Sequence, residues 1–431
     1  MARTAIIWVR PTESTHRVTT LELFFDLVFV FAFIQVTRLM TADPTVVGAA
    51  RGLLLMAMLW AAWSAYAWLG NQARADEGLV RVTFVGAMVV MFVAALAIPE
   101  SFADLPGGLF APFVFAVCYT VVRLAHLACH FVVAGGDAEE RRQLLRTGAP
   151  ITASCALVLT GGALGPPHQT VLWTLAVVVG YTGVWVSGVA GWRLPSPGHF
   201  ADRHGLILMV ALGESLIAIG FGVAERPLSA PAVAASVLGL SVAVSLWWLY
   251  FDVVAHVAEG VLHQVPETER AALARTSYSY LHFLIVVPVI FIATGLKGVQ
   301  EHVSDPARHA LADPLAGVPL VALYVGVAVH LAGHIAFRRR EVGTWNAERG
   351  VVAVVLVLLL PVAGRLPALA ALGLVAALLA VLVCYELLRF WQYRDVVRHS
   401  ADPVADLARL LCDGGRSGGR PGAPRGPEIK W

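Results

Sequence analysis

The sequence predicts an all-α polytopic membrane protein with about twelve transmembrane helices. Hydrophobic residues make up 58% of its 431 residues and charged residues only 14%, whereas soluble domains carry about 25% charged residues. Apolar runs long enough to cross a hydrocarbon core of about 30 Å recur along the whole chain. This composition excludes a soluble globular protein and makes the lipid bilayer the predicted partner.

The predicted spans follow one another closely. The first span follows a largely polar N-terminal segment, so it is expected to act as the insertion signal, with no cleaved signal peptide. The fifth and eleventh spans are the shortest. The spans cover residues 20–40, 46–69, 80–98, 110–133, 148–163, 169–190, 204–223, 231–254, 276–297, 315–337, 349–364 and 367–391.

Basic residues predict the orientation. Most of the 31 Lys and Arg residues lie in alternate loops and in the two terminal segments that share a side with the N-terminus. Because basic loops stay in the cytoplasm, the prediction is a multi-pass protein of the cell (inner) membrane with both termini cytoplasmic. The run Arg338-Arg339-Arg340 is then a stop at the cytoplasmic face, and no nucleic-acid partner is expected.

Two segments of the chain resemble one another, which predicts an internal repeat. His126-Leu-Ala-Cys-His130 and His330-Leu-Ala-Gly-His334 each lie late in an apolar span, and each half also has an aromatic-rich span. Six spans per half would give two parallel repeats, an arrangement found in some transporters. The predicted domains are a cytoplasmic N-terminal tail at 1–19, six-helix repeats at 20–192 and 193–399, and a disordered Arg/Gly/Pro-rich cytoplasmic tail at 400–431.

Ionisable residues within the spans are the candidate functional residues, because a charge in the bilayer must face the bundle interior, pair or contact water. Residues three or four apart share a helix face, as in Glu22 with Asp26 and in Arg123 with His126 and His130. In the predicted orientation these side chains lie between the midplane and the inner surface, which predicts a polar cavity in the cytoplasmic half. The candidates for proton or ligand binding from the spans are Glu22, Asp26, Arg123, His126, His130, Glu214, Asp252, His282, His330 and His334.

The chemistry of these groups has open alternatives. Arg123 requires a carboxylate partner, and Asp26 or Glu214 is the expected one, as part of a proton relay, a ligand anchor or a structural ion pair. The histidine pairs suit protonation or ligand contact, helix-packing hydrogen bonds, or a metal or haem site. No cofactor is predicted, because the HExxH glutamate of metalloproteases is absent from both pairs.

Four stretches resemble motifs of the bacterial low-temperature-requirement A (LtrA) family. The residues from Thr20 to Phe31 resemble its opening signature. Arg203-His204-Gly205, followed by Gly213-Glu214-Ser215, is similar to a second motif, whose usual glutamate before the arginine is Asp202 here. Two looser matches are Trp247–Asp252 and Gly333-His334 with Phe337-Arg338. The resemblance covers roughly residues 15–395 and implies a membrane fold, a need during growth in the cold, and importance for Glu22, Asp26, Arg203, His204, Glu214, Asp252 and His334.

Three function classes remain open. The first is a proton-linked secondary transporter or permease that carries a small molecule or ion through the polar cavity. The second is a membrane-embedded enzyme dependent on a metal or haem, against which stand the missing HExxH motif and the missing nucleotide motif. The third is a non-transporting membrane scaffold whose polar residues only pack helices. The sequence favours the first.

Overall fold

Helices account for the regular structure in the computed structural model, which describes residues 9–14, 16–224, 227–389 and 391. Within these ranges, strand-like pairing is confined to isolated bridges of Pro11 with Ala73 and of Pro314 with Pro367. A short 3-10 helix, Ile98–Glu100, follows the third helix, and a π-helix, Arg275–Leu281, joins the tenth to the eleventh. The α-helices are α1 Thr20–Ala42, α2 Val46–Gln72, α3 Gly78–Ala97, α4 Ala111–Val133, α5 Ala138–Leu164, α6 His168–Val186, α7 Pro197–Val223, α8 Ala230–Phe251, α9 Val254–Gln264, α10 Glu267–Ala274, α11 Phe283–Ser304, α12 Gly317–Val342, α13 Ala347–Ala363 and α14 Ala368–Arg389.

The prediction of an all-α polytopic membrane protein is confirmed. In the described part of the chain, 11 helical stretches are long and apolar enough to cross a membrane. The segment predicted at 349–364 also forms a helix, α13, but it has only 17 residues. At 1.5 Å per residue it is about 26 Å long, somewhat short of a full hydrocarbon core.

Polar side chains fix where several helices begin. Thr19 caps α1 in a capping box, in which its side chain accepts from the backbone N–H of Glu22 and the Glu22 side chain accepts from the backbone N–H of Thr19. Asp137 caps α5 and Asn346 caps α13 in the simpler way, through one side-chain oxygen. The capping box thereby fixes the Glu22 carboxylate at the N-terminus of α1.

The chain divides into two compact units. Unit 1 comprises Met1–Ala218 with Arg270–Ala272, and unit 2 comprises Ile219–Glu269 with Leu273–Trp431. In unit 1 the aromatic rings of Phe25, Tyr66 and Phe84 pack together at centroid distances of 5.0 to 5.1 Å. In unit 2, α11 and α12 pack closely because Gly333 lies against the backbone of Leu284, where a Cβ would lie 2.6 Å from the carbonyl oxygen.

The predicted repeat and its boundaries remain a prediction. The two compact units divide within α7, at Ala218, whereas the predicted repeats divide at residue 192. A division by packing does not test whether the halves are copies of one ancestral unit. The tail predicted to be disordered at 400–431 lies outside the described residues.

Candidate functional site

Unit 1 holds a buried group of charged and polar side chains that we call the charge cluster: Glu22, Asp26, Trp63, His199 and Arg203. Glu22 and Asp26 lie one turn apart on α1, and His199 and Arg203 lie one turn apart on α7. The side chains of Glu22, His199 and Arg203 are 0% exposed, and that of Asp26 is 3% exposed. Such complete burial of ionisable groups is costly unless they are paired and hydrogen-bonded.

Glu22 has a full set of hydrogen-bond donors. Its Oε2 accepts from the backbone N–H and from the hydroxyl of Thr19 at 2.9 and 3.0 Å. His199 Nε2 lies 2.9 Å from Oε1 and 3.1 Å from Oε2. Because both oxygens are engaged, the carboxylate form of Glu22 is well solvated by the protein itself.

His199 is held in one tautomer. The side chain of Asn71 is oriented by Ser196, whose carbonyl accepts from Asn71 Nδ2. The same Nδ2 faces His199 Nδ1 at 3.4 Å. An amide NH₂ donates, so Nδ1 is the accepting nitrogen and Nε2 carries the proton that points to Glu22. The imidazole is therefore neutral and acts as a donor toward the carboxylate.

Arg203 bridges the two carboxylates of α1. Its Nη1 donates to the main-chain carbonyl of Glu22 at 2.8 Å, and its Nη2 lies 3.0 Å from Asp26 Oδ1. The same Oδ1 accepts from Trp63 Nε1 at 2.8 Å. The guanidinium also lies over the Trp63 ring, 5.6 Å from its centroid, in a cation–π contact.

Asp26 is less completely paired than Glu22. Both of its contacts fall on Oδ1, and the buried Oδ2 has no hydrogen-bond partner among the described residues. Two carboxylates, one guanidinium and a neutral imidazole sum to a charge of −1. One bound proton or one monovalent cation at Asp26 Oδ2 would neutralise the charge cluster.

Aromatic rings surround His204, which follows Arg203 on α7. His204 Nδ1 donates to the carbonyl of Phe200 at 2.8 Å. Its ring meets Trp63 edge-on at 4.9 Å and Trp60 at 6.1 Å between centroids. The predicted residues Glu22, Asp26, Arg203 and His204 are thus brought together in unit 1.

The predicted residues of α4 lie beside the charge cluster and have other partners. Arg123 donates to the main-chain carbonyl of Ala61. Asp26, one of the two carboxylates expected to pair with Arg123, binds Arg203 instead, because α7 places a second guanidinium directly against α1. His126 packs against the ring of Tyr66 at 5.6 Å, and His130 Nε2 lies 3.2 Å from Glu140 Oε1.

Glu214 and Asp252 are buried outside the charge cluster. Glu214 lies on α7 eleven residues beyond Arg203, on the same face of the helix but roughly 16 Å further along it. Asp252 forms the C-cap position of α8 in unit 2.

Unit 2 contains a second buried network, which we call the histidine chain: Glu386, Arg349, His334, His330 and the carbonyl of Ile285. Arg349 donates from Nε and Nη2 to the two oxygens of Glu386, each at 2.8 Å. Arg349 Nη1 lies 3.0 Å from His334 Nδ1, His334 Nε2 lies 3.1 Å from His330 Nε2, and His330 Nδ1 lies 2.7 Å from the Ile285 carbonyl.

Arg349 sets the direction of the hydrogen bonds that follow it in the histidine chain. Arginine can only donate, so His334 Nδ1 accepts and its Nε2 carries the proton. That proton points to His330 Nε2, so His330 is protonated on Nδ1 and donates to Ile285. Both imidazoles are neutral, and all four of their nitrogens are used.

His282 follows the π-helix, Arg275–Leu281, and lies in an aromatic pocket of unit 2. Its ring contacts Tyr250 at 5.3 Å, Phe337 at 5.8 Å and Tyr278 at 6.1 Å. Tyr250 also contacts His334 at 5.8 Å, so His282 adjoins the histidine chain. π-helical turns are often found at functional sites.

Two groups of three potential metal ligands occur in the part of the chain that the structure describes: His16, Glu22 and His199, and His302, His309 and Asp313. Neither group contains the paired histidines, so the metal or haem site considered for those pairs remains a hypothesis. In the histidine chain a metal would have to displace existing hydrogen bonds. In the first group, His199 Nε2 carries a proton that points at Glu22, so this nitrogen is not free to bind a metal.

His16 lies beside His199, at the edge of the charge cluster. Its ring centroid is 5.3 Å from that of His199. Burial lowers the pKa of His16 below 6.5. His16 therefore tends to stay neutral beside the charge cluster.

Sequence reasoning missed three ionisable members of these networks: His199, Arg349 and Glu386. His199 could have been found, because it lies four residues before Arg203 and so shares its helix face. Arg349 and Glu386 lie near the ends of helices, where charged residues are ordinarily interfacial anchors. No local signal indicated that those two would pair.

Comparison with known proteins identifies relatives over most of the chain. The sequence profile of a family described as bacterial low temperature requirement A protein (LtrA) matches residues 17–384. A protein of Rhizobium meliloti (strain 1021), named "Uncharacterized protein RA0937", is 30% identical over 340 residues, which cover 75% of this chain and 80% of that protein. No solved structure matches the chain.

Proposed function

From the premise that the chain belongs to the bacterial low temperature requirement A (LtrA) family, we propose that it is a proton-linked secondary transporter of the cell membrane. The observation that carries this proposal is the unbalanced charge cluster. One buried guanidinium, that of Arg203, faces two buried carboxylates. Ionisable residues within transmembrane helices often mark proton or substrate pathways.

Asp26 is the proposed proton site. Its Oδ2 is buried and lacks a hydrogen-bond partner among the described residues, whereas both oxygens of Glu22 are engaged. A proton therefore binds to Asp26 at a smaller loss of existing interactions. Glu22 stays ionised and holds His199 and the entrance of α1 in place.

Proton binding at Asp26 would change the state of Arg203. Once Asp26 is neutral, the Nη2 group of Arg203 loses its ion-pair partner, while Nη1 keeps its bond to the Glu22 carbonyl. The guanidinium can then offer its free edge to an acidic group of a substrate. Uptake of a proton and binding of a substrate are coupled in this way through one side chain.

The charge cluster lies at the start of α1 and α7, and Asn71, which contacts His199, lies in the last turn of α2. These three helix ends share one end of unit 1. With both termini in the cytoplasm, as the basic residues predict, this end faces the cytoplasm. The proposed cavity for proton and substrate is therefore in the cytoplasmic half of the membrane.

Proton flux in liposomes tests the proposal. Purified protein is reconstituted with a pH-sensitive dye inside, the membrane potential is clamped with potassium and valinomycin, and the outside is acidified. A panel of small organic acids, amino acids and inorganic ions is added one at a time. We expect at least one compound to accelerate internal acidification, and Asp26→Asn to return the rate to that of empty liposomes.

The control is Glu139→Gln, which removes a carboxylate exposed on α5 of the same unit. It should leave the flux unchanged. Folded Asp26→Asn and Glu22→Gln proteins that keep full coupled flux would refute the proposed mechanism. If both variants fail to fold, the charge cluster has a structural role and the scaffold hypothesis gains.

A further inference from the structure

The last turn of α11 and the loop that follows it in unit 2 bring together three side chains that suit a metal ion: His302, His309 and Asp313. One ligand atom from each lies within 4.8 Å of the others. The loop belongs neither to the charge cluster nor to the histidine chain, and the proposed transport mechanism does not use it. We infer that these residues form a binding site for one divalent transition metal ion of the zinc class.

The rings of the two histidines lie against one another. Their rings are stacked, with centroids 3.8 Å apart and planes 20° from parallel. Neutral imidazole is the form that binds metals. His302 Nε2 is buried and has no hydrogen-bond partner among the described residues. This nitrogen is therefore available to bind a ligand.

The loop is held in a fixed conformation by its own backbone. The N–H groups of Arg308 and His309 both donate to the carbonyl of Asp305, at 3.1 and 3.0 Å. The backbone N–H of Ala310 donates to Asp313 Oδ2 at 2.7 Å, which orients that carboxylate. Ligating carboxylates are commonly supported by such a hydrogen bond.

The residues at the start of α14 bind the C-terminal end of the loop. The backbone N–H of Ala368 donates to the carbonyl of Asp313 at 3.2 Å, and Pro314 forms a bridge with Pro367. Ligands around a tetrahedral ion at about 2.1 Å lie roughly 3.4 Å apart. The three ligand atoms therefore have to approach one another by up to about 1.4 Å, and the two stacked rings have to turn so that one nitrogen of each points at a common ion.

The donor set indicates which ion binds. Two imidazole nitrogens and one carboxylate oxygen suit Zn²⁺, Co²⁺ or Ni²⁺, whereas Ca²⁺ and Mg²⁺ prefer oxygen ligands alone. Three protein ligands leave a fourth position for water, unlike the four protein ligands of structural zinc sites. In the orientation predicted from the basic residues, this loop faces the outside of the cell.

Zinc titration of the untagged full-length protein in detergent tests the inference. The protein is stripped with EDTA, desalted and titrated with ZnCl₂ by calorimetry, and metal content is measured after dialysis. We expect one Zn²⁺ per chain, and an affinity reduced at least about tenfold by His309→Ala and by Asp313→Asn. Asp313→Asn keeps an oxygen that can accept from Ala310, so the loop should stay folded.

The control is His168→Ala, which removes an exposed histidine from the start of α6. It should leave the affinity for Zn²⁺ unchanged. Absence of stoichiometric Zn²⁺, equal affinity in Asp313→Asn, or Zn²⁺ binding lost in His16→Ala but kept in His309→Ala would each overturn the inference. None of these outcomes bears on the flux assay of the charge cluster.

Discussion

Arg203 on α7 and Asp26 on α1 form an ion pair, Nη2 to Oδ1 at 3.0 Å, in which the two side chains are 0% and 3% exposed. The pair joins two segments that lie far apart in the sequence, and each belongs to a stretch resembling a family motif. Their proximity explains how both stretches can serve a single site. It also means that neither charge has water to compensate for the loss of the other.

Replacing Arg203 should destabilise the protein strongly. Arg203→Met leaves Glu22 and Asp26 buried without a cation, and breaking a buried ion pair by removing one partner costs about 3–5 kcal/mol. We expect a clear fall in the thermal unfolding midpoint in detergent. Adding Asp26→Asn to Arg203→Met should recover part of the loss, because it removes one uncompensated charge. Equal stability of Arg203→Met and wild type would contradict the burial of this pair.

Gly70 on α2 provides a milder way to disturb the charge cluster. A Cβ at this position would collide with Glu22 Oε1, so Gly70→Ala must displace the carboxylate that His199 contacts. Overpacking of this kind costs about 1–3 kcal/mol, and we also expect reduced proton-coupled flux. The matched control is Gly86→Ala on α3, where nothing lies within 4 Å of the added atom. Equal effects of the two variants would show that helix propensity alone matters.

Much of the charge cluster could be predicted, but its pairing could not. The cost of burying charge identified Glu22 and Asp26 as candidates, and the family resemblance added Arg203. The ion pair between Arg203 and Asp26 depends on which helix packs against α1, and hydropathy does not encode the neighbours of a span. For the same reason Arg123 was expected to take a carboxylate partner, yet it donates to the Ala61 carbonyl.

The histidine chain illustrates a different limit. The close spacing of His330 and His334 predicted that they share a face of α12, and they do contact one another, with rings 4.6 Å apart. The sequence left their chemistry open between protonation, ligand binding and packing. The structure adds Arg349 and Glu386, whose contribution depends on the packing of α13 and α14 against the end of α12.

Removing one member of the histidine chain should leave a buried polar group unsatisfied. His330→Leu takes away the acceptor of the His334 Nε2 proton and the donor to the Ile285 carbonyl. Each buried group left unsatisfied costs about 1–3 kcal/mol. The double variant His330→Leu/His334→Leu should cost less than the sum of the single variants, because they share one hydrogen bond. Strict additivity in thermal unfolding would show that the two histidines act independently.

The stability of unit 1 should depend on pH through His16. Burial lowers the pKa of His16 below 6.5, and Arg74 adds to this lowering, while the carboxylates of Glu22 and Asp76 act in the opposite direction. The unfolded chain therefore takes up this proton at a higher pH than the folded chain does. As pH falls below about 6.5, the proton favours the unfolded state, so this contribution to stability is lost.

The comparison with His16→Gln isolates this contribution. We expect the thermal midpoint of the wild type, relative to that of the variant, to decrease between pH 7.5 and pH 5.5. Glutamine does not titrate, so the responses of all other groups largely cancel in the difference. A relative midpoint that increases toward acid would mean that attraction to Glu22 outweighs burial. It would then follow that His16 becomes charged beside the charge cluster and supplies the positive charge that the cluster lacks.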